Sequence, residues 1–104
     1  MTPISKPVNV LLVEYQTLTR VGIRTVLSPT GDIDVIGEAD DPAKGFRLFR
    51  ELHPDVTILG LRFPDHCTID DLDNYFVTTP KAKVIVLADH AGDAEITRAL
   101  KKGA

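Results

Sequence analysis

The sequence predicts an α/β domain: a parallel sheet with helices on both faces. Three observations carry this. Short apolar runs centred on Val10–Val13, Val35–Ile36, Val56–Leu59 and Val84–Leu87 are rich in β-branched residues and lack strict alternation, as strands buried on both faces do. Between them, apolar residues recur at helical spacing. The resulting order, β-α-β-α-β-α-β-α, places strands parallel through right-handed crossovers.

Residues 1–7 form a polar, proline-bearing lead-in with little reason to be ordered, so the domain is expected over residues 8–104. The first strand, Val8 to Val13, ends at Glu14-Tyr15. Thr17 is the expected N-cap of a helix reaching about Leu27, with Leu18, Gly22 and Val26 sharing a face with Ile23 and Leu27. A mid-helix glycine costs about 1 kcal/mol against alanine, so Gly22 is assigned to a close approach of helix and sheet. Pro29 and Gly31 close this unit.

The second strand spans Asp34 to Ala39. Asp41-Pro42 is a strong helix start, an N-cap followed by proline at the first helical position. Gly45, Leu48, Phe49 and Leu52 form the buried stripe, and His53-Pro54 stops the helix. The central strand, Val56 to Leu59, is bounded by Pro54 and Gly60. Phe63 to Thr68 reads as a loop, followed by a helical stripe of Ile69, Leu72, Tyr75 and Phe76 that Pro80 ends. After the strand Val84–Leu87, Asp93 caps a last helix, Ala94 to Lys102, with Ile96, Ala99 and Leu100 inward and Gly103 as C-terminal cap.

The chain has 104 residues, 43% of them hydrophobic and 26% charged, which suits one soluble domain with a real core. A net charge of −3 argues against sequence-independent binding to nucleic acid by this domain. Cys67 stands alone, which rules out an internal disulfide and points to a reducing compartment. The apolar runs are too short to span a membrane, and Met1 to Lys6 lacks the apolar core of a signal peptide. A cytoplasmic protein is expected.

Several stretches now come together: Val10 to Tyr15 with Leu18, Arg20 and Gly22; Val35 to Ala39; His53 to Val56; Leu61 to Pro64; Lys83 to Leu87; and Ala99 to Ala104. In register, and without gaps from about Val8 to Ala104, they resemble the receiver domain of bacterial response regulators. The likeness is to the subfamily whose receivers precede a helix-turn-helix DNA-binding domain. The resemblance implies a flavodoxin-like doubly wound sheet of order 2-1-3-4-5. This chain would supply the order 2-1-3-4 with strand five absent.

The family's chemistry is phosphoryl transfer from a histidine kinase to an aspartate. It implies an aspartate ending strand three, acidic residues after strand one holding Mg²⁺, a Ser or Thr after strand four and a Lys after strand five. Here Gly60 stands at the acceptor position, the acidic pair is Glu14-Tyr15, and the hydroxyl position is Ala88. The expectation is therefore a receiver that does not use aspartyl phosphorylation and holds neither metal nor cofactor. No nucleophile–base pair or glycine-rich phosphate loop suggests an enzyme of another class.

Other acids substitute poorly. Asp55 is at the wrong end of its strand, Asp65 lies past Pro64 in the loop, and Asp89 reads best as a solvated carboxylate near a helix start. Asp70, Asp71 and Asp73 lack the glycine and distal glutamate of a calcium loop. His66-Cys67, without partners, makes no zinc site, and His90 reads as a surface residue. Tyr15 either fills the volume left at Gly60 or is exposed.

The leading expectation is a signalling domain of a transcriptional regulator that acts through a protein partner or a homodimer. Val84, Val86, Ile96 and Leu100 are the candidate interface, because Val84 to Leu87 would be a bare apolar sheet edge. One alternative is a ligand pocket lined by Tyr15, Gly60 and Asp89, although no basic or polar cluster marks it. The other is a phosphorylated switch using a non-standard acid.

Overall fold

The computed structural model describes residues 7–88 and 93–104. Apart from Pro7, the expected lead-in lies outside this set, as do Asp89 and His90. The elements run β1 (Val8–Val13), α1 (Thr17–Leu27), β2 (Ile33–Ala39), α2 (Pro42–Leu52), β3 (Val56–Gly60), β4 (Arg62–Phe63), β5 (His66–Cys67), α3 (Leu72–Thr78), β6 (Val84–Leu87) and α4 (Asp93–Lys102). The main sheet has the order β2-β1-β3-β6, all parallel. This is the 2-1-3-4 order expected, with β6 the fourth long strand and the outer one among the described residues.

The interior position of β1 follows from its composition. Leu11, Leu12 and Val13 are fully buried and have no polar side chain to satisfy. Alternate residues of a strand face opposite ways. Leu11 and Val13 join the main core cluster with Phe49 of α2, Leu72 and Tyr75 of α3, and Ala99 of α4. Val10 and Leu12 are buried but stand outside that cluster.

Helix α2 packs tightly for local reasons. Asp41 caps it, its carboxylate accepting the Lys44 amide at 3.0 Å, and Pro42 opens it. His53 ends it in a left-handed conformation, φ +49°, ahead of Pro54. A side chain on Gly45 would strike Val13, whose Cγ1 lies 2.6 Å from where a Cβ would stand. The close approach therefore belongs to α2. Phe49 lies against Tyr75, ring centroids 4.6 Å apart, and Phe46 meets Tyr75 edge-on at 5.2 Å.

Helix α1 differs from expectation. None of its residues is buried, and Leu18 and Val26 are 86% and 72% exposed. Gly22 faces open space, so it makes no close approach to the sheet. Thr17 is the first helical residue; the cap position is Gln16, which makes no side-chain capping bond. The loop expected over Phe63–Thr68 contains a small antiparallel ribbon, with Arg62 opposite Cys67 and Phe63 opposite His66. Pro64 and Asp65, the latter at φ +61°, form its tip, a pair suited to a tight turn. In α4 only Ala99 points inward as expected, while Ile96 and Leu100 are exposed. Gly103, at φ +114°, takes the C-terminal cap conformation.

Two consequences are measurable by urea denaturation. Gly22→Ala should stabilise the domain by about 1 kcal/mol, because the site is open and helical. Gly45→Ala should destabilise it by about 1–3 kcal/mol through overpacking. A third concerns Tyr75, whose buried hydroxyl has no hydrogen-bond partner among the described residues. Burial pushes this phenol well above its ordinary range, and the Asp71 carboxylate adds to the shift. Its proton is held more tightly folded than unfolded. The stability it contributes is present below about pH 10, the ordinary tyrosine value, and is lost as pH rises further. Tyr75→Phe should flatten the fall in stability above that pH in an alkaline denaturation series.

Candidate functional site

The parallel register of β1 and β3 pairs Val13 with Leu59, so the next residues, Glu14 and Gly60, meet at the carboxyl edge of the sheet. Open α/β sheets place ligands at this edge. Glu14 is 9% exposed. One carboxylate oxygen, Oε2, accepts the Gln16 amide at 2.7 Å. The other, Oε1, lies 2.7 Å from where a Cβ on Gly60 would stand. The glutamate from β1 thus occupies the space that the glycine leaves open.

Arg20 does not neutralise this carboxylate. Its guanidinium donates to the main-chain oxygen of Glu14 at 2.9 Å and forms an ion pair with Glu38. Gly60 itself is held from the other side. The hydroxyl of Thr68, fully buried, donates to the Gly60 carbonyl at 2.7 Å, and the Thr68 amide donates to Leu61 O at 2.8 Å. Sequence reasoning missed Thr68, because its reach to Gly60 appears only once the β4–β5 ribbon folds back.

Tyr15 is 49% exposed and lies edge-on to Phe63, so it is the exposed ring among the two readings and does not fill the space at Gly60. Glu14, Tyr15, Thr19, Ile23, Leu61, Leu87 and Ala88 line a cavity of about 320 Å³. Ala88 lines this cavity with Glu14 and Tyr15. Asp89 is outside the described residues.

Of the remaining candidate acids, Asp55, Asp70, Asp71 and Asp73 have structural partners. Asp55, at the opposite edge of the sheet, accepts the Asn9 amide at 2.8 Å. Asp70 pairs with Arg98 and Asp73 with Lys102, each at 2.8 Å, and Asp71 meets His66 at 2.7 Å. Among the described residues no three His, Cys, Asp or Glu side chains are grouped to hold a metal ion. Val84, Val86, Ile96 and Leu100 all line one apolar groove of about 270 Å³ between β6 and α4. Val84 is nonetheless a core residue, and the side chain that β6 exposes is Ile85.

No family model matches the chain. Its relatives are informative. It is 32% identical over 97 residues to the response regulator protein VraR of Staphylococcus saprophyticus, covering 93% of this chain and 46% of that protein. It is 28% identical over 99 residues to the nitrate/nitrite response regulator protein NarL of Escherichia coli, covering 95% of this chain and 46% of the relative. The chain thus spans about half the length of the curated relatives it matches. The solved signal receiver domain of the putative response regulator NarL from Mycobacterium tuberculosis superposes with a TM-score of 0.88 at 29% identity, covering 96% of this chain and 81% of that one.

Fold and sequence likeness together define a response-regulator receiver domain, a signalling domain rather than an enzyme. Within that class its likeness is to receivers of the NarL and LuxR type.

Thr68→Val should test the anchoring of Gly60. Losing the buried hydroxyl bond to the carbonyl should cost about 1–2 kcal/mol in urea unfolding, with the amide signals of Gly60 and Leu61 shifted most.

Proposed function

We propose that this domain signals by protein contact without aspartyl phosphorylation, as the cytoplasmic input of a transcriptional regulator whose longer chain carries a DNA-binding output. The observation that carries this is Gly60 at the end of β3, with the Glu14 carboxylate over it. Phosphoryl transfer needs a nucleophile held in line with the phosphorus. Glycine supplies none, and Ala88 offers no hydroxyl to a phosphate. Mg²⁺ takes octahedral oxygen ligands, usually carboxylates together with phosphate oxygens, and one carboxylate is a poor start.

In a phosphorylated receiver the phosphate shifts a population between two arrangements. Here the input is instead whatever occupies the apolar groove between β6 and α4, where Ile85, Ile96 and Leu100 are exposed. A second copy or a heterologous protein would supply the differential contacts. A second reading, a phosphorylated switch using a non-standard acid, draws on the same placement of Glu14, since a carboxylate does stand at the vacated position.

Two measurements decide. Acetyl phosphate should leave the mass of the protein unchanged, and beryllofluoride should not alter its spectrum; acyl phosphate at Glu14 would establish the second reading instead. Light scattering across a concentration series should show self-association that Ile96→Lys weakens. A monomer at all concentrations would leave only a heterologous partner for the groove.

A further inference from the structure

The Glu14 carboxylate is an incomplete ion pair. The residue is nine-tenths buried, and Oε1 has no hydrogen-bond partner among the described residues. No cation among those residues pairs with it, since the guanidinium of Arg20 is taken up by main-chain oxygens and Glu38. Oε1 opens onto the cavity, and a carboxylate facing a partly apolar cavity gains a charge-assisted hydrogen bond from a cation placed there. The site therefore has a place for one positive charge.

The surroundings choose among cations. A divalent ion needs several oxygen ligands, whereas the cavity beside Glu14 is walled by Tyr15, Ile23, Leu61 and Leu87. Such walls suit a carbon body. Thr19, on the same cavity, spends its hydroxyl proton on Gln16 Oε1, which leaves its oxygen able to accept. Arg62, also on the cavity wall, is already paired with Glu95. A cavity of about 320 Å³ is at the small end for ligand sites and excludes a nucleotide.

We infer that this cavity is a binding site for a small primary amine, its ammonium group on Glu14 and its apolar body against Tyr15, Ile23 and Leu87. The ammonium group donates to Oε1 and to the Thr19 hydroxyl, and the aromatic face of Tyr15 adds a favourable contact with the charge. This goes beyond the contact function and does not depend on the groove at β6.

The test is an amide-detected NMR titration of the chain with phenethylamine, with 2-phenylethanol as the uncharged isostere and MgCl2 as the competing cation. The amine should give saturable shifts at Gln16, Thr19 and Leu61. The alcohol should bind about tenfold more weakly or less, as expected for loss of one charge-assisted hydrogen bond. Glu14→Gln keeps the acceptor for the Gln16 amide and should weaken the amine by a similar factor, with the spectrum elsewhere unchanged. Gly60→Ala, whose Cβ would crowd Oε1, should also weaken it and serves if the first variant does not fold. Equal binding of amine and alcohol, indifference to both variants, saturable shifts from Mg²⁺ alone, or no saturable shift from the amine would each overturn the assignment.

Discussion

The register between β1 and β3 is the constraint on which the rest of the site depends. Pairing Val10 with Val56 and Val13 with Leu59 dictates the next pair along: Glu14 must emerge beside Gly60. A slip of one residue would turn Leu11 and Val13 out of the core and carry the carboxylate away. The core that fixes the register is the cluster in which Val13 meets Gly45, Leu59 is buried and Tyr75 closes the far side against Phe49. Apolar packing on one face of the sheet thus determines chemistry at its edge.

The two faces of the sheet are unequal. Helices α2 and α3 bring Phe49, Leu72 and Tyr75 against Leu11 and Val13, and the Gly45 approach lets the backbones come close. Helix α1 buries no residue and is tied to its surroundings by Arg20 and Arg24 on Glu38 and by Arg20 on the Glu14 carbonyl. The wall of the Glu14 cavity formed by Thr19 and Ile23 therefore stands on the less firmly packed helix.

Much of this was legible in the residues. The long strands followed from apolar run length, and α2 from Asp41-Pro42 at one end and His53-Pro54 at the other; these are local signals, whereas the strand order was implied only by the resemblance to receiver domains. The β4–β5 ribbon was not legible, because a strand of two residues has no periodicity to detect. Gly22 departs from expectation for a related reason: helical spacing shows which residues share a face but not whether the sheet covers it. At the site, the resemblance to receiver domains implied that Gly60, Glu14, Tyr15 and Ala88 belong together. It did not show that Glu14, and not Tyr15, takes the space at Gly60, since a side chain's direction follows from strand register and from the Gln16 amide that fixes one of its oxygens.

Helix α4 is fastened in an unusual way. Of its described residues only Ala99 enters the core. Its ties also include exposed or half-buried charge pairs: Arg62 with Glu95, Arg98 with Asp70 and Lys102 with Asp73. Pairs of this kind weaken as dissolved ions shorten the reach of each charge, to about 8 Å at physiological ionic strength and less above it. The groove beside β6 therefore has one wall set by the ionic medium and one set by the sheet. Added salt therefore acts on the α4 wall of this groove and leaves the β6 wall, built of packed strand, unchanged.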